Sequence, residues 1–506
     1  MYKPKKNDEF DDRKVPNSEN MDENSYLRLL KSKPWLYGKT SDFLYGRQGP
    51  WPQPSPAHPL GESPAVCHVP FIEQADWWLF VGSRYTATLA YSPFAFLGGI
   101  LRPGLEEVSD LEFHDMLTNS MLSRFITPKL DKYDLKNFAN DIESDQTYFI
   151  VDLMCVDVVE PFEGIYVSGS KTLLKEVGEE KFEVVAIYLH DSNSVFHSDD
   201  KDSWELAKYY VLQGGALAAT LVVHPLLHFP FDSINAITKT ILPTNHLLFK
   251  LMHPHTRFTL PLENAVLQYN SSLLQGKSWM PYAPYPGKPG GLRNLLAEGY
   301  MGVEGNDSYP GFKYPMEPQK VYGKYGTFLD RYYQVFYNFV SKVLENVSPD
   351  DYYIGQWAKH ISQHLPGFPG EKEIFEGDNL VKAVTMFMWD VTVSHTVDHY
   401  NYGGMNIRKI PLRLRQEPPK QGSSTVLNRK KLTKFWDYGK YKMCQILFFR
   451  PTSVTTLPKT KYKFESGQLQ EYAAKFISEL KDCDELCKKE GIQYIPLKKI
   501  ARAIQS

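Results

Sequence analysis

Apolar residues in this 506-residue chain recur mostly at three- and four-residue spacings, the period of helices with one buried face. SDLEFHDMLTNSMLSRF (109–125) predicts such a helix, with Ser109 as cap, acids in the first turn, and Leu111, Met116, Leu117 and Leu122 on one face. Longer helices are expected over 204–228, 327–347, 379–402 and 469–491. YFIVDLMCVDVV (148–159) and KFEVVAIYLHD (181–191) are short and β-branched, and predict strands of a small sheet edge. Pro- and Gly-rich stretches at 280–291 and 417–424 read as loops. The predicted class is mainly α, one large helical bundle domain with small β elements.

Two regions divide the chain. Residues 1–64 begin polar and become rich in Pro, Gly and aromatics from about 34, predicting an extended arm that wraps a surface, with no helix before about residue 75. Residues 65–506 hold no internal repeat and no clean boundary, and are expected to form one domain.

Composition narrows the function classes. With 42% hydrophobic residues there is ample core material, while a net charge of −2 and a pI near 6.7 give no field for nucleic acid. The basic runs KPKK near the start and NRKK at 428–431 read as solvated surface. No signal-like segment opens the chain, and no uninterrupted apolar run reaches the roughly 18 residues of a spanning helix, so the expected location is cytoplasmic. The five cysteines are expected to be reduced, and Cys483 and Cys487, four apart, are a weak metal signal.

The chemistry is concentrated in histidines. HPLLHFPFD (224–232) and SHTVDHYNYGG (394–404) each place two of them four apart: His224 and His228, His395 and His399. Both pairs sit in segments too apolar to face water, and neutral imidazoles from two facing helices can converge on one ion. The alternative is four satisfied core histidines. Asp232 and Asp398 stand near the pairs as candidates to orient a ligand ring. Pro225 removes a helix N–H and disfavours the α conformation at His224, which predicts a kinked segment there. There is no H-E-x-x-H, E-x-x-H diiron pair, G-x-S-x-G elbow, G-x-G-x-x-G or Walker loop to support hydrolase or nucleotide chemistry.

The chain resembles the lipoxygenases over about 400 residues in one order. SDLEFHDMLTNSM (109–121) is similar to that family's "SDxEFxxxxLxGxNP", YFIVDLMCVDVVEPF (148–162) to "LFxxDYxxxxxPY", and KTLLKEVGEEKFEVVAIYL (171–189) to "RTLLxLxxDGxLxPLAIEL". WELAKYYV (204–211) resembles "WxLAKxxV", NHLLFKLMHPHTRFTL (245–260) resembles "HPxxKLLxPHxRYTL", and 394–404 resembles the helix carrying the third metal ligand. Family members hold iron by two histidines on one helix, a histidine and an Asn on another, and the carboxylate of the last residue. Counting from Lys208 puts the first ligand at Ala219, which cannot serve, and the second at His224. His395 matches the third, His399 replaces the Asn, and Ser506 stands at the terminal position. Counting back from His246, His228 stands at the place of a further family histidine that follows the second ligand, and the chain is one residue shorter between His224 and His228, a deletion expected to bring His228 onto the same face.

The resemblance implies a metal site of His224, His228, His395, His399 and Ser506, holding non-haem iron, with manganese as an alternative and zinc if the site is inert. It implies hydrogen abstraction from an activated CH₂ between alkenes and O₂ addition, on a polyunsaturated fatty acid or other polyene. With an altered ligand set, desaturation or hydroperoxide rearrangement is an alternative outcome. A non-catalytic lipid-binding or structural relative is the reading from a different class. The family's N-terminal β-barrel is expected to be absent, because the 108 or so preceding residues are Pro-rich rather than strand-alternating.

Overall fold

The computed structural model of the protein describes residues 71–257, 284–302, 309–362, 365–449 and 455–504. The expected arm at 1–64, Cys67 and Ser506 therefore lie outside the described residues.

The longer helices among the described residues are α1 Phe71–Leu101, α2 Asp110–Thr118, α3 Asp202–Ala218, α4 Phe229–Ile241, α5 Pro289–Met301, α6 Gly323–Leu344, α7 Tyr352–Ser362, α8 Asn379–Trp389, α9 His395–Gly404, α10 Phe435–Cys444 and α11 Gly467–Lys489. The mainly helical class is as predicted. The small sheet has five antiparallel strands in sequential order: β1 Ile126–Thr127, β2 Tyr148–Asp152, β3 Ser170–Gly178, β4 Lys181–Leu189 and β5 Ser194–Phe196. The segment 148–159 is strand only to Asp152, and Met154–Val158 winds into a 3₁₀ turn. Periodicity does not reveal β3, since its first five residues are all buried and show no alternation.

α2 starts as predicted, with a full capping box between Ser109 and Glu112. It ends at Thr118, and Leu111 is exposed whereas Phe113 and Leu117 are buried, so the core face is turned from the expected one. The reason lies one turn on, where Ser120 caps a separate 3₁₀ turn at Met121–Phe125 and carries Leu122 into the core. α1 begins at Phe71, a few residues before the expected place, and runs to Leu101.

α3 is the axis of the core. All but its first residue are buried, and its continuation to Leu226 is long and apolar enough to cross a membrane, yet 94% of its most apolar window is enclosed by the protein. Two segments of the resemblance meet at its start: Trp204 Nε1 donates to Asp110 at 2.7 Å and Lys208 Nζ to the same carboxylate at 2.9 Å. Gly215 allows the close approach of the 3₁₀ turn, because a Cβ there would stand 2.9 Å from Leu122 Cδ2. α3 packs on one face of the sheet, and Phe138, Ile150, Leu173, Ala186 and Tyr188 form a smaller core on the other.

Candidate metal centre

Both histidine pairs follow a π turn. α3 passes into π geometry at Ala219–Val223, and α8 does so at Asp390–Ser394. In each case the amide of the next residue, His224 or His395, reaches back five residues, to Ala219 and Asp390. Such single-turn bulges add one residue to a helix and re-aim the side chains beyond them. Here they set the direction from which each pair leaves its helix.

The first pair corrects one expectation. His224 is α-helical (φ −59°, ψ −40°) despite Pro225. The π turn has already lengthened the local hydrogen bonding, so Pro225 opens a short helical segment, His224–Leu226, where a missing N–H costs little. The break falls later, at Leu227 and His228, whose amides bond to His224 and Pro225. Pro230 then sits at the start of α4. The second pair is a regular helical turn inside α9.

The four rings converge. His228 Nε2 lies 2.7 Å from His224 Nε2 and 2.9 Å from His395 Nε2. Ring centroids of His224 and His399, and of His395 and His399, are 4.5 and 4.4 Å apart. One potential donor atom from each of the four lies within 4.8 Å of the others, and all four residues are buried. An ion bound at the 2.0–2.1 Å typical of imidazole ligands separates neighbouring donor nitrogens by about 3 Å. A central Nε2 facing two others is an awkward hydrogen-bond arrangement, because it can donate to only one, whereas lone pairs converging on a cation are satisfied together. Nδ1 of His224 makes no hydrogen bond to the described residues.

The electrostatics favour the ligating form. Burial lowers the pKa of His224 to about 4, with Arg124 adding to the effect and Asp398 opposing it. His228 and His399 are held well below the ordinary histidine range, first by burial and then by their neighbouring rings. Neutral imidazole is the species a metal takes. The donor set therefore fits a transition metal in number, spacing and charge.

Other candidates fare differently. Asp398 does not accept from a histidine ring: it takes hydrogen bonds from Tyr325 Oη and, at 3.3 Å, from Arg124. Arg124 comes from the 3₁₀ turn at Met121–Phe125 and also bonds Ser394 at 3.2 Å. Burial works against its charge, and Asp398 and Tyr325 more than offset this. Asp390 beside them is pushed up to about 7 by burial, which Arg124 and Ser394 only partly counter. Sequence reasoning misses this polar cluster behind the histidines, although two aspartates in an otherwise apolar helix are its signal. Asp232 has no described side chain. Ala219 starts the first π turn and offers no donor.

Ser506 lies outside the described residues, and the chain up to Ile504 is held in the core. Ala501 N donates to Thr396 Oγ1, next to His395, His255 bonds the carbonyl of Arg502 at 2.6 Å, and Ile504 is fully buried. The tail thus runs against α9 in the core. Phe449, at the end of a third π turn (Gln445–Phe449), lies 5.7 Å from the His399 ring and walls the site.

Comparison with solved structures decides the architecture. A crystal structure of a lipoxygenase variant (Delta413-417:GS LOX) superposes with a TM-score of 0.69 at 13% identity, over 87% of this chain and 76% of that one. Coral 8R-lipoxygenase gives 0.67 at 14% identity over 87% and 76%, and manganese lipoxygenase of Gaeumannomyces graminis 0.65 at 13% over 86% and 91%. The chain has the lipoxygenase fold. No protein-family model and no curated protein sequence matches it. Identity this low establishes the lipoxygenase fold alone, because one fold can carry unrelated chemistries.

Proposed function

We propose that this lipoxygenase-fold chain is a metal-dependent oxidoreductase of the dioxygenase class, with iron or manganese held by His224, His228, His395 and His399. The observation that carries the reading is the convergence of three Nε2 atoms within 2.9 Å steps at the junction of two helices. The main chain at Ser506 is proposed as an additional oxygen donor, supported by the course of the tail along α9 at Thr396. A redox metal there supplies one-electron chemistry, which suits removal of a hydrogen atom from an activated CH₂ of an apolar polyene and capture of the carbon radical by O₂.

The chain's own residues do the rest. Burial keeps His224, His228 and His399 in the neutral form, which leaves their ring nitrogens available as donors. Phe449 and Tyr402, at 5.7 Å from His399 and 6.4 Å from His224, keep the surroundings apolar and exclude water. Arg124, Tyr325 and Asp398 fix the rotation of α9, so that His395 and His399 present the same face to the first pair.

The test is metal analysis of the purified chain with oxygen uptake on polyunsaturated fatty acids. About one iron or manganese per chain with oxygen uptake is expected. Protein that binds no transition metal, or zinc alone without oxygen uptake, ends the catalytic reading in favour of an inert lipoxygenase-fold protein.

A further inference from the structure

The longest helix of the described structure leaves much of its surface uncovered. α1 buries only a narrow stripe, including Trp77, Arg84, Thr88, Ala95 and Gly99, against its neighbours. From Tyr85 to Leu101 it carries no charged residue over 17 positions, about 25 Å of helix. Its outer face shows Leu89, Phe94, Leu97, Ile100 and Leu101, with Phe94 64% and Leu101 70% exposed. Half of the large exposed hydrophobic side chains among the described residues belong to this one helix, so the pattern is a face and not scatter.

The surroundings of that face are basic. α10 packs along the C-terminal half of α1: Phe96 meets the exposed Trp436 at 4.9 Å, and a Cβ on Gly99 would strike the Phe435 carbonyl. The amide of Leu105 bonds the carbonyl of Arg429 at 2.9 Å, which fastens the NRKK run to the end of α1. Exposed Arg102, Lys430, Lys431 and Lys434 therefore rim the apolar face. Two acids just beyond α1 are already engaged by arginines, Glu107 by Arg429 at 3.6 Å and Glu106 by Arg408 at 4.0 Å.

We propose that the outer face of α1, with Trp436 and this cationic rim, docks the protein on an anionic lipid surface. Apolar and aromatic side chains would enter the headgroup boundary while Lys and Arg meet lipid phosphates and carboxylates. A second copy of the chain fits less well, because a two-fold contact through this face sets the same four cations against each other. α1 itself packs on the π turn that ends in Phe449, the ring 5.7 Å from His399, so the helix lies between this face and the histidine cluster. Docking is read out as lipid binding and so is tested independently of catalysis.

The experiment is co-sedimentation of the full chain with phosphatidylcholine vesicles with and without 30% phosphatidylserine, in buffers of about 0.1 M and 1 M salt, which shorten the screening length from about 10 to about 3 Å. Binding to the anionic vesicles that falls severalfold at high salt is expected. Leu89→Ser/Phe94→Ser/Leu101→Ser and, separately, Lys430→Glu/Lys431→Glu should each reduce the bound fraction at least about fivefold, with unchanged circular dichroism and melting because all five side chains are exposed. Brominated lipid should quench tryptophan emission in the wild type, and less so in Trp436→Phe. Failure of the wild type to bind either vesicle overturns the proposal. So does wild-type binding by both variants, or a dimer without vesicles that the triple variant disperses. Tryptophans shielded from acrylamide in a monomer that ignores vesicles would assign the face to another segment of the chain.

Discussion

The two histidine segments reach one point by different means. His395 and His399 lie in an unbroken turn of α9, held from behind by Arg124 and Tyr325 on Asp398. His224 and His228 straddle a helix break framed by Pro225 and Pro230, yet their Nε2 atoms meet at 2.7 Å. A pair set by helical period is only as well placed as its helix, and here a buried ion pair fixes that helix. A pair set by a break is placed by the backbone itself. The shared device is the π turn before each first histidine.

Removing donors should separate the two segments most strongly. His228→Ala and His395→Ala take away contacts at the centre of the cluster, and each should weaken metal binding by more than the roughly 10–100-fold typical of losing a supporting partner. His399→Ala, whose ring is 6.2 Å from that of His228, should cost less. Metal content after dialysis against a graded chelator measures both, and equal losses in all three would erase the distinction.

The support of α9 comes next. Asp398→Asn strands the buried Arg124 charge, whose side chain is 14% exposed, and should destabilise the fold by about 3–5 kcal/mol. Arg124→Met/Asp398→Asn should recover much of this in urea denaturation. A single variant as stable as the wild type would mean the ion pair does not fix the helix.

Acid acts on the first pair through its rings. His224 titrates near 4 in the folded protein and near 6.5 unfolded, so below 6.5 the unfolded chain binds more protons. The stability of the metal-free protein should be full above about pH 6.5 and fall as pH drops towards 4. His224→Gln should flatten that part of the profile, and an unchanged slope would show that other groups carry it.

Two smaller effects test the backbone. Gly215→Val pushes a side chain onto Leu122 and should cost about 1–3 kcal/mol by thermal melting. Pro225→Ala should change stability by less than about 1 kcal/mol, because His224 is already helical and the break lies beyond it. A large loss would make the proline the element that aims His228.

Much of this was legible in the sequence where the signal is local. The cap at Ser109, the helices near 204–226, 323–344 and 467–489, and the four histidines follow from period, capping chemistry and the oddity of imidazole in apolar helices. The order of the lipoxygenase-like segments indicated the fold. β3 and the turned face of α2 escaped, because full burial removes alternation and because a cap at Ser120 ends the helical register early.

By itself the sequence determined which side chains could ligate and that their helices must be internal, since both are properties of composition and spacing. Tertiary structure alone decided that four rings separated by up to 175 positions share one point, that Asp398 serves Arg124 instead of a ligand, and that an uncharged helix face lies beside a basic run more than 300 residues away. Those outcomes depend on long-range packing, in which a π turn or a single close glycine contact re-aims everything downstream, and no local pattern encodes the partner it will meet.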